Sequence, residues 1–156
     1  MPIAMLLAAL LCFVPAAADA APGLFERMAG AWSGGGRIEF SNGQSERIRC
    51  RATYAPESGG ALLEQHLRCA SDSYNFNIES MVASHRGSLT GDWTESTHNV
   101  AGQIVGTISN NEIRAHVRAA QFNAALSLSV IGKSLRLALV PQAGNVGEIE
   151  VALRRA

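Results

Sequence analysis

The chain has 156 residues, which is the size of a single domain. Its 13 basic residues balance its 13 acidic ones, and charged residues make up only 17% of the total, against roughly 25% in ordinary globular domains. This neutral balance argues against a protein that captures nucleic acid or an anionic membrane through strong electrostatics.

The first 20 residues have the pattern of a secretory signal peptide. An apolar run from Met1 to Val14 is ended by Pro15, and Ala18-Asp19-Ala20 offers an A-x-A cleavage site. The run is too short to span a bilayer as a helix. The basic residues that usually precede such a run are missing, which leaves a start site further upstream or a retained N-terminal anchor as alternatives. We predict cleavage after about Ala20, export to the periplasm and one domain over residues 21–156.

A short helix is predicted directly after the leader. Leu24, Phe25 and Met28 have the spacing of an apolar helix face, and Gly30 is a natural stop. We expect this helix to close one end of the fold.

Alternation of apolar and polar residues, the pattern of half-buried strands, governs the rest of the chain. Turn signals such as Asn42-Gly43 and Asn110-Asn111 separate the alternating segments. The alternating segments are Ile38 to Phe40, Ile48 to Tyr54, Leu63 to Cys69, Tyr74 to Ile78, Leu89 to Trp93, Ile104 to Ile108, Ile113 to Val117, Phe122 to Val130, Leu135 to Leu139 and Ile149 to Leu153.

The connections between these segments are too short for parallel crossovers, so the strands are expected to pair antiparallel. We therefore predict an all-β fold, an antiparallel up-and-down β-barrel of about 8–10 strands with a short N-terminal helix. A Greek-key sandwich is the alternative. An outer-membrane barrel is disfavoured, because charged residues fill the outward face and no aromatic girdle is visible.

Two cysteines, Cys50 and Cys69, remain after the predicted cleavage, and an oxidising compartment favours a disulfide between them. A hairpin centred on Gly59-Gly60 places them directly opposite each other. A four-residue loop puts Pro56 and Cys50 in non-hydrogen-bonded pairs, where the Cα atoms are closer and a bridge fits. A metal site is the alternative, but further Cys or His residues at ligand spacing are missing.

Gly30-Ala31-Trp32 resembles the G-x-W motif of the calycins, the group of lipocalins, fatty-acid-binding proteins and avidins. The lipocalin pattern implies an arginine at the last strand that packs across the tryptophan, a place that Arg154 or Arg155 occupies. The resemblance thus implies a structural plug made of Trp32, Gly30 and Arg154 or its neighbour. The segment from Gly87 to Trp93 also resembles the strands of avidin-type barrels.

A closer resemblance is to a group of uncharacterised exported bacterial proteins. It rests on the segments 67–74, 30–34 and 91–96 and implies a location and a fold, not a reaction. Two departures matter. The chain has only two tryptophans, whereas biotin-binding avidins use several, and its last histidine is His116, whereas haem-binding members have one near the C-terminus. Neither ligand is carried over.

Four residues are candidates for a ligand site or barrel rim: Trp93, Glu95, Tyr74 and Arg68. Glu95 shares the inward face of Trp93, where a carboxylate needs a partner. The segment from Arg68 to Tyr74 is the densest in polar and aromatic residues, so it is the predicted mouth.

The remaining polar residues are interpreted as surface. His66, His85, His98 and His116 lie on separate segments, and a metal or haem site is the alternative for them. The outward stripe Arg47, Arg49 and Arg51 is either solvated or a docking surface for an acidic partner.

These features together predict a periplasmic, non-enzymatic barrel that binds a small apolar or amphipathic ligand in its interior. The alternative is a packed barrel that acts through its rim or surface as a protein-binding or inhibitor module, with an envelope protein as partner. No catalytic set, metal site or cofactor is predicted, nor a nucleic-acid partner, nor a membrane span after cleavage.

Overall fold

A computed structural model describes residues 22–156, and this part of the chain contains ten strands, one short α-helix and a 3-10 turn at Ser58–Gly60. The predicted signal peptide and its cleavage site lie outside the described residues. The elements are α1 (Leu24–Met28), β1 (Gly30–Phe40), β2 (Ser45–Glu57), β3 (Leu62–Ala70), β4 (Asn75–His85), β5 (Ser88–Glu95), β6 (Val100–Ile108), β7 (Glu112–Ala119), β8 (Phe122–Ile131), β9 (Ser134–Pro141) and β10 (Val146–Arg155).

The strands form one closed antiparallel barrel. Each strand pairs with the next along the chain, and β1 pairs with β10 to complete the circle. The predicted up-and-down barrel is confirmed, and the sandwich alternative is wrong. The physical reason is the unbroken alternation, since it gives every strand one apolar face that a single shared interior can bury.

β2 illustrates how the sequence pattern produces this interior. Ile48, Cys50, Ala52 and Tyr54 are all buried, and the residues between them are exposed. The inward residues of the other strands follow the same rule. Among the described residues, no helix is long and apolar enough to cross a membrane.

Because the strands alternate in direction, their connections gather at two ends of the barrel. We call the first the helix end, because α1 lies there; Arg27 of α1 donates a hydrogen bond to Asn111 at 3.3 Å. The connections at the helix end are 58–61, 86–87, 109–111 and 132–133. The opposite, loop end has the connections 41–44, 71–74, 96–99, 120–121 and 142–145.

Trp32 occupies the helix end and is only 1% exposed. Its indole Nε1 donates a hydrogen bond to the Met28 carbonyl oxygen at 2.8 Å. Arg155 lies over the ring, and its guanidinium also donates to the carbonyl oxygens of Ala29 and Arg27. Arg154 does not take this place. Arg154 pairs with Ser33, the residue that follows Trp32, and its side chain is exposed on the outer face.

The hairpin of β2 and β3 has the predicted register, with Cys50 opposite Cys69 and a loop of residues 58–61. The two sulfur atoms are 2.05 Å apart and the Cα atoms 4.1 Å apart. This short Cα separation is typical of a non-hydrogen-bonded pair. Both cysteines are buried, so the disulfide joins the two strands on the inward side of the barrel.

The glycine run of β1 allows this strand to lie very close to β10. A Cβ atom on Gly36 would be 1.7 Å from the Glu150 carbonyl oxygen, and one on Gly34 would be 2.1 Å from that of Ala152. Any side chain at either position would force the two strands apart. The run from Gly34 to Gly36 therefore permits a close approach of the two strands.

Candidate functional site

The barrel interior is not filled toward the loop end. A cavity of about 350 Å³ lies there, at the small end of the roughly 300–1,000 Å³ seen for ligand pockets. Most of the lining side chains are apolar, and five strands contribute Ile78, Ile104, Leu126, Leu137 and Ile149. Within the described part of the chain, no arginine or lysine lines the cavity.

Aromatic side chains form a row along one side of the cavity mouth. Tyr74 stacks on Phe76 with ring centroids 5.9 Å apart, and Phe40 and His98 extend the row at 5.7 Å and 6.1 Å. We call these four residues the aromatic row. Asn145 donates a hydrogen bond to the Tyr74 phenol oxygen at 2.9 Å, which ties two loops of the mouth together. The mouth thus presents flat, apolar surfaces to an entering molecule.

Glu95, at the end of β5, is the one charged residue buried among residues 22–156, with a side chain only 7% exposed. Its carboxylate accepts hydrogen bonds from the backbone N–H groups of Asn77, Thr97 and His98 at 2.9, 3.0 and 2.7 Å. The Nδ1 atom of His98 lies 2.7 Å from the same carboxylate and donates a fourth.

These hydrogen bonds decide the charge of Glu95. Burial alone would raise the pKa of the carboxyl group, but the three backbone donors and the imidazole outweigh it and lower the pKa to about 2. Glu95 is therefore ionised at neutral pH. Four donors occupy the acceptor positions of its two oxygens, so the carboxylate anchors the turn 96–99 and has little capacity to take a proton from a substrate.

Two neutral polar side chains, Gln65 and Ser80, interrupt the apolar lining. They face each other directly across β3 and β4, on the inward side, and both line the cavity. Within residues 22–156 neither side chain has a hydrogen-bond partner. An amide and a hydroxyl with free donors and acceptors are therefore exposed to the cavity.

Trp93 forms the adjacent part of the wall, directly paired with Ser80. Its ring packs edge-on against Phe122, with centroids 6.0 Å apart. The indole Nε1 is buried and, among the described residues, has no hydrogen-bond partner. It lies over the backbone of Gly102, where an added Cβ would come within 2.9 Å of it. The N–H therefore faces β6 and not the cavity.

The structure brings three of the four candidate site residues together. Trp93, Glu95 and Tyr74 all line the cavity, whereas Arg68 lies on the outer face, where its Nε donates to the Asn77 side chain at 3.3 Å. Arg68 does not line this cavity, because alternation turns it away from its inward neighbours Leu67 and Cys69. Its place at the barrel rim stays a prediction.

The residues of the site that sequence reasoning did not single out include Gln65, Phe76, Ser80 and His98. The inward register contained the signal for the first three, since they alternate in phase with buried residues of β3 and β4. His98 lies in a turn, where no periodicity applies. His66, His85 and His116 are exposed, as expected for surface residues.

The outer face of β1 to β3 carries a set of arginines that we call the arginine face: Arg37, Arg47, Arg49, Arg51 and Arg68. Two pairs lie directly opposite each other, Arg37 with Arg47 and Arg51 with Arg68. Directly opposed like charges destabilise a sheet. Of these five arginines, only Arg37 has an ion pair within the described residues, with Glu39 at 3.9 Å.

Neither protein-family models nor curated proteins give a match. Among solved structures, Rv2717c from M. tuberculosis is similar, with a TM-score of 0.68 and 14% sequence identity over 88% of this chain and 99% of that one. The S-type phycobiliprotein lyase CPES from Guillardia theta is also similar, with a TM-score of 0.60 and 10% identity over 85% of this chain and 90% of that one.

Both likenesses span nearly the whole described chain, at identities that show the fold alone. They support the closed antiparallel β-barrel fold. At these identities, no cavity residue of this chain is assigned a role from either of the two structures.

Proposed function

We propose that the chain is an exported, non-enzymatic barrel that binds a small apolar or amphipathic molecule in the cavity at the loop end. The observation that carries this proposal is the unfilled apolar cavity beside the aromatic row. An interior that served only stability would be packed to near-crystalline density. A cavity with an apolar lining and a few polar groups is the usual form of a small-molecule site.

A binding role is favoured over a catalytic one by the state of Glu95. Its carboxylate is ionised and its acceptor positions are filled by four donors of the chain itself. A general base needs a free acceptor within reach of the substrate proton. Glu95 instead fixes the conformation of the turn 96–99 at the cavity mouth.

Export to the periplasm is supported by the apolar leader pattern and by the Cys50–Cys69 disulfide, since disulfides persist in oxidising compartments. The test is the intact mass of protein recovered from the periplasm of an expressing cell. We expect the mass of a chain that begins at about Ala21 and carries one disulfide. A mass that includes the leader would contradict cleavage after about Ala20.

Ligand binding is tested with N-phenyl-1-naphthylamine, a neutral apolar probe whose fluorescence rises when it leaves water. Leu126→Trp places a large ring in the cavity, whereas Ala125→Trp adds the same ring on the outer face of the same strand. We expect saturable binding to the wild type and to Ala125→Trp, and loss of binding in Leu126→Trp. Equal behaviour of the two variants, with both verified as folded by circular dichroism, would overturn the proposal.

One observation favours a second candidate, a barrel that docks an acidic envelope protein through its surface. The directly opposed pairs Arg37–Arg47 and Arg51–Arg68 concentrate positive charge on the arginine face. An acidic partner would relieve their repulsion. Charge reversal at Arg49 and Arg51 to glutamate is expected to abolish co-purification of such a partner while probe binding in the cavity persists; loss of both would refute a separate surface role.

A further inference from the structure

The charges around the cavity restrict the ligand more than its apolar lining does. Among residues 22–156 the lining includes no arginine or lysine, and its buried ionised group is the Glu95 carboxylate at the mouth. The His98 imidazole at the mouth already donates from Nδ1 to Glu95, so an anionic ligand would bring a second negative charge into this confined space with no arginine or lysine to pair with it. Burying an unpaired charge is strongly unfavourable.

A cationic ligand meets a different obstacle. Glu95 is the carboxylate among the lining residues, but both of its oxygens already accept two hydrogen bonds each from the chain. An ammonium group would have to replace these donors to form a close ion pair. The cavity therefore offers no ready partner for either sign of charge.

Gln65 and Ser80 supply uncharged hydrogen-bonding groups to the cavity. Their polar atoms face the cavity, and within the described residues they lack partners. Gln65 is the next inward-facing residue of β3 after Leu63. Leu63 is a core residue, 2% exposed, and lies on the helix-end side of the cavity. A neutral hydrogen-bonding group on the ligand would meet this pair deep in the cavity, with the apolar body extending toward the aromatic row.

We infer that the cavity selects an uncharged apolar molecule that carries a neutral hydrogen-bonding group, such as an alcohol, ketone or amide, and that it rejects carboxylates and other anions. The inference deepens the proposed function and rests on it. Gln65 and Ser80 bind the neutral group, Trp93 and the aromatic row contact the apolar body, and the ionised Glu95 excludes negative charge.

The first test compares N-phenyl-1-naphthylamine with 1-anilinonaphthalene-8-sulfonate, which has the same rings and an added sulfonate. Cavity binding of each probe is the part of the signal that Leu126→Trp removes, because probe held by the arginine face remains in that variant. We expect the neutral probe to bind the cavity at least about thirtyfold more tightly, since the sulfonate would be buried unpaired. Cavity affinities within threefold of each other would overturn the inference and leave the proposed function standing.

The second test displaces the neutral probe with 1-decanol, decanoate and decylammonium at pH 7. We expect decanol to compete at the lowest concentration. If either ion competes equally well or better, the inference is wrong. If the neutral probe does not bind the wild type at all, both the proposed function and this inference are overturned.

The third test locates the neutral group. The double variant Gln65→Met, Ser80→Ala removes both polar groups, and the matched control His66→Met, Glu79→Ala alters the directly paired outward residues one position away on the same strands. We expect the first variant to weaken decanol binding by about tenfold, the effect of about one hydrogen bond, with probe affinity changed less than threefold. An equal effect of the control, or none in either variant, would place the neutral group elsewhere and refute this assignment.

Discussion

The guanidinium of Arg155 lies over the indole of Trp32, with its Cζ atom 4.6 Å from the ring centroid. This contact joins the last strand to the first. Because Arg155 also donates hydrogen bonds to the carbonyl oxygens of Ala29 and Arg27, it connects α1 to both strands at the helix end. One side chain thus stabilises the plug, the helix and the closure of the barrel together.

Arg155→Ala should therefore lower the free energy of unfolding by about 2–4 kcal/mol, from the cation–π contact and two charged hydrogen bonds. Urea denaturation measures the change. The control is Arg154→Ala, since Arg154 is exposed on the outer face, and it should change stability by less than about 0.5 kcal/mol. Equal losses for the two variants would contradict the role assigned to Arg155.

The disulfide should contribute about 3 kcal/mol, because it closes a loop of 19 positions in the unfolded chain. Replacing Cys50 and Cys69 by alanine should lower stability by that amount under oxidising conditions. A reductant should destabilise the wild type similarly and leave the double variant unchanged. A thiol assay on the denatured, unreduced protein lacking residues 1–20 should find no free thiol; finding two would show that the bridge does not form.

Glu95 should make stability depend on acid pH. Its pKa is about 2 in the folded chain, below the usual 4.5, so its contribution is complete above about pH 5 and is lost as the pH falls toward 2. The size of this shift corresponds to about 3 kcal/mol.

The measurement is a series of urea melts between pH 7 and pH 2.5 on the wild type and Glu95→Gln. The difference between the two should be largest at pH 7 and shrink steadily with acid. Glu57→Gln removes an exposed carboxylate from β2 and serves as the control. A difference between wild type and Glu95→Gln that stays constant with pH would show that the ionised form is not what the fold stabilises.

Gly102 should be required for the packing of Trp93. A Cβ at this position would lie 1.8 Å from the Arg118 carbonyl oxygen and 2.9 Å from the Trp93 Nε1 atom. Gly102→Ala should cost about 1–3 kcal/mol of stability and shift the tryptophan fluorescence. Gly147→Ala is the matched strand control, since its Cβ would meet nothing closer than 3.4 Å. An unchanged emission spectrum in Gly102→Ala would contradict the close contact.

Alternation along the sequence was sufficient to predict the barrel and the opposition of Cys50 and Cys69, because both depend only on local periodicity and turn position. The same rule distinguishes Arg155 from Arg154, since Leu153 and Arg155 alternate in phase on β10. Arg68 does not line the cavity although its polar and aromatic segment was treated as one unit, because alternate residues of a strand point to opposite sides.

The cavity itself depends on distances across the barrel that no local pattern contains. Whether inward side chains such as Leu126 and Leu137 meet in the middle is set by strand number and tilt. The partnership of Glu95 and His98 depends on the conformation of one turn, in which Asn99 has a φ of +54°. Sequence reasoning recognised that Glu95 needed a partner but could not identify it.

The pairing of β1 with β10 has a consequence for how the chain acquires its structure. Arg155 and Ala29, which meet at this seam, are 126 positions apart in the sequence. A chain emerging from the ribosome or a translocation pore cannot close the circle until its last strand has emerged. Until then β1 has an unpaired edge, which can pair with other chains, and such distant pairing slows folding. The late seam would keep the polypeptide open until nearly all of it has been released.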